Sequence, residues 1–224
     1  MPGTRSLLDK ELAQIRENII QLGDMVDKAI EKAMLAMSDH NMSMAQEVVN
    51  SDEKVNLLRY EIEQECLRVL ATQQPAAVDL RTVIAAIHLT VELERIGDHA
   101  SGIARLVERL DREEEIDSLH KLPKMAKRAR QMVQEGVTAF INHDAALAHA
   151  MIKQDDKIDK QYKRLFRETL DEMKDDQYIR RATFLLWTGH NLERIGDRAT
   201  NMAERVIFMV TGEFVEVPFD ADDQ

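Results

Sequence analysis

Hydrophobic positions recur along this chain every three to four residues, over stretches of about thirty residues divided by short polar breaks. Leu93, Ile96, Ala100, Ile103, Val107 and Leu110 form one such stripe, and Leu192, Ile195, Ala199, Met202, Val206 and Met209 repeat its rhythm. That period marks the buried face of a bundled helix, with the methionines filling core gaps. The pattern predicts six helices, at about 6–38, 43–72, 76–111, 118–142, 145–174 and 177–211. Ser38-Asp39-His40-Asn41 and Asn142-His143-Asp144 supply turn and cap residues, Gln74-Pro75 separates the second helix from the third, Pro123 falls early in the fourth, and Gly212 ends the last. Phe184 and Trp187, upstream on the last helix, are expected in the core.

The chain repeats itself. Leu93-Glu94-Arg95-Ile96-Gly97-Asp98 returns as Leu192-Glu193-Arg194-Ile195-Gly196-Asp197, 99 residues later. Upstream, Asp52-Glu53-Lys54-Val55-Asn56 aligns with Asp155-Asp156-Lys157-Ile158-Asp159 at a spacing of 103, and so does Asp39-His40-Asn41 with Asn142-His143-Asp144. A unit of about a hundred residues exceeds a solenoid repeat and reads as a duplicated domain. The expectation is an all-α protein of two tandem antiparallel three-helix bundles, residues 1–113 and 114–224, the second ending in a short acidic tail.

Composition narrows the functions. Eight Gly, four Pro and 4% aromatic residues favour helix over sheet, and 224 residues suffice for a core without disulfides. The formal charge of -11 repels phosphate backbones and anionic lipid, which argues against nucleic acid as a partner. Cys66, the single cysteine, falls among apolar helical positions and reads as a small buried hydrophobe. The longest apolar patch, Val83 to Val91, is too short to span a bilayer, and no signal-peptide stretch precedes it, so a cytoplasmic protein without membrane insertion is expected.

The candidate chemistry lies in the repeated motif. Glu94 and Asp98 stand four residues apart on one helical face, as do Glu193 and Asp197, and both pairs point away from the packing stripe toward the exposed side. If helices two and three meet at a turn near residues 73–74, Asp52 lies level with Glu94 and Asp98, and Asn56 lies one turn along. A turn near 175–176 likewise sets Asp155 and Asp159 level with Glu193 and Asp197. Carboxylates this close repel one another unless a cation lies between them, and clustered oxygen ligands suit divalent or trivalent ions such as iron, zinc, manganese or magnesium. Arg95 and Arg194 offer a competing account, a solvated face of ion pairs. His190 and His99 could each add a nitrogen, but their counterparts are Val91 and Arg198. Ferritin-like Glu-x-x-His pairs, phosphate-cradling glycine loops, Gly-x-Ser-x-Gly elbows and Cys-x-x-Cys knuckles are absent from the sequence.

Taken together, Asp52-x-x-Val55-Asn56, Gln74-Pro75-x-x-x-Asp79-Leu80-Arg81, Glu92-Leu93-Glu94-Arg95-Ile96-Gly97-Asp98 and Ile195-Gly196-Asp197-Arg198 resemble the PhoU family of phosphate-signalling regulators, over nearly the whole chain. The resemblance implies a cytoplasmic, often dimeric protein that restrains phosphate uptake and the phosphate-starvation response. Such a protein links a Pst-type ABC phosphate transporter to a phosphate-sensing two-component histidine kinase, and it acts by binding, without turnover. Carried over by position, the metal ligands would be Asp52, Glu94 and Asp98 with Asn56 as a weaker amide donor, and Asp155, Asp159, Glu193 and Asp197. A metal-dependent enzyme and a passive helical scaffold are the competing readings: the first predicts turnover only with metal, the second neither metal nor a phosphate phenotype.

Overall fold

A computed structural model describes residues 2–110, 119 and 121–215. Six helices run in order: α1 (Pro2–Ser38), α2 (Met42–Gln73), α3 (Val78–Leu110), α4 (Leu122–Asn142), α5 (Ala145–Glu172) and α6 (Ile179–Thr211), with one 3-10 turn, Asp176–Tyr178, before α6. α1, α2 and α3 pack on one another, α4, α5 and α6 do the same, and α1 meets α4 while α3 meets α6. No strand occurs among the described residues. The expected boundary at 113/114, the expected end of the third helix at 111, the expected start of the fourth at 118 and the acidic tail beyond 215 lie outside the described residues.

The repeated turns use one device. His40 and His143 both adopt left-handed backbone, at φ 50° and 53°. Each is followed by a cap: Asn41 accepts a hydrogen bond from the Met44 N–H at 3.0 Å, and Asp144 accepts one from Leu147 N–H at 2.9 Å. The chain reverses in three residues at the first turn and two at the second, and each cap satisfies one first-turn amide, of α2 and of α5.

Several boundaries differ from expectation: α1 begins at Pro2 rather than about 6, α5 ends at Glu172 rather than about 174, and α6 begins at Ile179 rather than about 177, after the 3-10 turn. α3 begins at Val78 rather than 76, because Gln74 and Ala77 both take positive φ and hold an open loop around Pro75. α4 begins at Leu122, with Pro123 in its first turn where a missing N–H costs nothing. The 74–77 loop slides α2 along α3, so Val55 rather than an earlier residue lies against Gly97.

One apolar core runs through both halves, from Leu12, Ile19 and Val26 on α1 to Met202, Val206 and Met209 on α6. Cys66 is fully buried within it, as its apolar neighbours predict. Trp187 is not: it is 45% exposed, with the Arg109 guanidinium 5.9 Å from its ring, while Phe184 is buried. Its position on α6 falls outside the 3-4 stripe, and aromatic character alone misplaced it. Trp187→Ala is expected to cost under about 1 kcal/mol in chemical denaturation, against about 3–5 kcal/mol for Phe140→Ala, which empties a fully buried site.

The halves join reciprocally. Across α3 and α6, Glu92 accepts hydrogen bonds from Arg198 (3.4 Å) and Asn201 (3.3 Å). In the mirrored position Asn191 meets His99 at 3.0 Å and packs over Gly102. The same repeat positions thus touch both ways, an approximate two-fold centred on the Leu-Glu-Arg-Ile-Gly-Asp segments. On the opposite seam Arg130 of α4 grips Asp27 of α1 with two 2.8 Å hydrogen bonds and reaches Glu31 at 2.6 Å.

Candidate metal centres

Each motif helix presents its acids to the neighbouring helix of its own half because a glycine lets that neighbour come close. A Cβ on Gly196 would sit 3.0 Å from Ile158 Cδ1 and 3.1 Å from Asp155 Oδ1, and one on Gly97 would sit 3.2 Å from Val55 Cγ1. Mid-helix glycine costs about 1 kcal/mol against alanine, so its return at the same place in both halves is a packing requirement. Here Gly196→Ala is expected to reverse the usual gain and lower Tm by about 2–8 °C in a thermal melt.

In the second half the expected residues converge. One carboxylate oxygen each from Asp155, Asp159 and Asp197 lie within 4.8 Å of one another, all three side chains half-buried. Among the described residues this is the one group of three acidic or metal-ligating side chains so close. Asp155 Oδ1 is shielded from solvent and accepts no well-formed hydrogen bond. Burial, then the charges of Asp159 and Asp197, push the Asp155 carboxyl up to about 7, with the nearby Thr200 hydroxyl opposing. Glu193 is likewise pushed up to about 7, first by burial and then by Asp197, with Arg194 opposing. Burial also raises Asp197, against the pull of Arg194, whose Nη1 lies 2.9 Å from Asp197 Oδ2.

The first half is built alike but more loosely. Arg95 Nη1 stands 3.4 Å from Asp98 Oδ2 and its Nε 3.6 Å from Glu94 Oε2. Asp52 is raised by burial and then by Asp98; Glu94 by burial and then by Asp98, with Asp52 a smaller contributor. Asp52, Glu94 and Asp98 are therefore near enough to feel one another's charge, without the close oxygen triad of the second half. Asn56 is half-buried one turn beyond Asp52, where Asp159 stands in the other half, and no hydrogen bond joins its amide to the carboxylates.

Three sequence expectations change here. The carboxylates were expected on an exposed face, and the Asp98 and Asp197 side chains are 40% and 34% exposed, yet Glu94 is only 13% exposed and Glu193 21%, because α2 and α5 close over that flank of the motif. His99 turns to Asn191 and into the seam between the halves. His190 does approach the second cluster: its Nδ1 lies 3.3 Å from Glu193 Oε2, with the ring against Tyr162. Sequence reasoning also passed over Gly97, Gly196, Glu92 and Asn191, the residues that set helix spacing and the junction. A glycine repeated inside two strongly helical segments was the available signal.

Chemically, three or four oxygen donors with no amine or thiol among them, two carboxyls held near neutral pKa and one buried oxygen without a partner form a set suited to a hard or borderline cation.

Comparison with known proteins agrees with the duplication. The family model described as "PhoU domain" matches twice, at residues 19–107 and 122–206. The chain is 32% identical over 216 residues to a phosphate-specific transport system accessory protein PhoU homolog of Clostridium acetobutylicum, covering 96% of this chain and 99% of that protein. It is 37% identical over 204 residues to the homolog of Pseudomonas aeruginosa, covering 90% of this chain and 84% of that one. The crystal structure of PhoU from Pseudomonas aeruginosa superposes with a TM-score of 0.87 at 37% identity, over 92% of this chain and 99% of that one. The phosphate transport system regulatory protein PhoU from Streptococcus pneumoniae superposes with a TM-score of 0.88 at 34% identity, over 94% and 100%. Two family matches on two halves of one fold, together spanning most of the chain, establish that this protein belongs to the PhoU family.

Proposed function

We propose that this protein is a cytoplasmic negative regulator of phosphate uptake and of the phosphate-starvation response. It acts as a homodimer by binding a Pst-type ABC phosphate transporter and a phosphate-sensing histidine kinase, and it turns over no substrate. The observation that carries this reading is the near full-length match to relatives named as accessory proteins of the phosphate-specific transport system. Among the described residues no helix is long and apolar enough to cross a membrane, which fits a protein that works on a transporter rather than as one.

The acidic clusters fit metal on the grounds of their own geometry: an all-oxygen donor set and an orphaned Asp155 Oδ1. Asp155, Asp159, Glu193 and Asp197 would hold it in the second half, and Asp52, Glu94 and Asp98, with Asn56, in the first. A bound divalent or trivalent cation would supply the positive charge that cancels the mutual repulsion of these carboxylates. Arg95 and Arg194 hold Asp98 and Asp197 in place, and Gly97 and Gly196 keep α2 and α5 near enough for both helices to contribute.

Deletion of the gene in its source organism, with a phosphate-starvation reporter, tests the regulator. Reporter expression is expected to rise in high phosphate; an unaltered reporter contradicts the reading.

A further inference from the structure

The net charge of -11 conceals a basic surface on the second half. Residues 121–134 of the chain hold five Lys or Arg and no Asp or Glu; residues 157–167 hold five Lys or Arg and one carboxylate, Asp159, which belongs to the acidic cluster. These segments lie on α4 and α5, antiparallel neighbours joined by the short His143 turn. Their pairing sets Lys127 level with Lys160 and Lys124 level with Lys163, over a length of about 20 Å.

Lys124, Lys127, Lys157, Lys160, Lys163, Arg164 and Arg167 are all exposed. Arg164 is paired with Glu168, at 2.7 Å. Arg128 of α4, half-buried, has its Nε shielded with no hydrogen-bond acceptor. The corresponding segments of the first half carry no such surface: Asp24, Asp27 and Glu31 outnumber Lys28 on α1, and Leu57, Tyr60 and Glu61 replace Lys160, Lys163 and Arg164 on α2. The repeats share their apolar stripe and the Leu-Glu-Arg-Ile-Gly-Asp motif, and this outer face is one of the places where they diverge.

We infer that the α4–α5 face docks this protein on an anionic lipid bilayer. Lysines on independent flexible stems read diffuse negative charge rather than one planar acceptor, which would favour bidentate arginine. Each cation brought near an anionic membrane strengthens binding about five-fold, and screening beyond a Debye length of about 8 Å hides most of the distant acidic surface. Phe166 and Leu170, 44% and 46% exposed on the flank of the same helix, give apolar side chains to the interfacial layer. Single-stranded nucleic acid would ask for aromatic platforms interleaved with the cations, and the exposed face offers Phe166 alone. The inference stands beside the proposed function without depending on it: vesicle binding can be present when the phosphate reporter is silent, and absent when it responds.

Sedimentation of the purified full chain with vesicles tests it. Binding is expected to vesicles of equal parts phosphatidylglycerol and phosphatidylcholine at low salt, with loss at 0.5 M salt and none to phosphatidylcholine alone. Lys127→Gln, Lys157→Gln and Lys160→Gln together are expected to weaken binding about 100-fold with unchanged circular dichroism and Tm, because all three are exposed. The same neutralisation at Lys10, Lys28 and Lys54, exposed on the first half, is expected to leave binding near wild type. Equal sedimentation with both vesicle types, an unweakened α4–α5 variant or an equally weakened control variant overturns the proposal. So does binding to polyglutamate or to DNA without binding to the anionic vesicles.

Discussion

Arg130→Ala is expected to destabilise the protein by about 3–5 kcal/mol, lowering Tm by about 6–20 °C. Asp27 is only 8% exposed, and the guanidinium fork fills both of its oxygens at 2.8 Å. Without the fork, a carboxylate stays buried in the seam between α1 and α4 with neither water nor a cation to satisfy it. The Glu31 contact adds little, since that side chain is 46% exposed and already solvated. The cost arises from the orphaned charge rather than from the pair's net attraction, so replacing both partners, Asp27→Leu with Arg130→Met, should recover most of the stability. A chemical denaturation series on wild type, the single variant and the double variant separates the two accounts. A single variant within about 1 kcal/mol of wild type would show that the seam does not depend on this pair.

The second large effect concerns pH. Asp155 and Glu193 both have folded-state pKa values raised to about 7, well above the roughly 4 of an unfolded carboxylate. A raised carboxyl binds its proton more tightly in the folded state, so its contribution is fully present below about pH 4 and is lost as pH rises through about 7. The metal-free protein should therefore be less stable at pH 8 than at pH 5.5. After allowance for partial solvent screening, the loss is about 2 kcal/mol, or about 4–8 °C in Tm. On the proposed metal reading, added metal is expected to reverse the sign at pH 8, because it would bind the deprotonated carboxylates and stabilise the folded state in proportion to its occupancy. Thermal melts of chelator-treated protein at the two pH values, with and without added divalent metal, check both parts. Asp155→Asn should flatten the pH dependence, since it removes the like charge and the buried titrating group together.

The helices, their number and the duplication were legible because each rests on a local rule. The 3-4 stripe needs only spacing, and the His40-Asn41 and His143-Asp144 turns need only a left-handed residue followed by a cap. Asp155, Asp159, Glu193 and Asp197 were legible as neighbours because two i, i+4 pairs on adjacent antiparallel helices have few ways to miss each other. What stayed hidden depends on tertiary approach. The burial of Glu94 and Glu193 follows from how closely α2 and α5 press on Gly97 and Gly196, a distance that no periodicity records. The reciprocal Glu92–Arg198 and Asn191–His99 contacts join positions about a hundred residues apart, where two chemically different pairs occupy one geometric role.

The same geometry sharpens the inequality of the two sites. Asn56 stands where Asp159 closes the second triad, and an amide donor binds a hard cation less strongly than a carboxylate. On the proposed metal reading, the residue at 56 and 159 is what makes the two clusters different.

The most direct test is a calorimetric titration of the metal-free protein with manganese, alongside the Asp98→Asn and Asp197→Asn variants. The wild type should show two classes of site, Asp197→Asn should remove the tighter one, and Asp98→Asn should remove the weaker one while leaving the tighter unchanged. Unaltered stoichiometry and affinity in both variants would show that the duplicated acidic motifs do not bind metal.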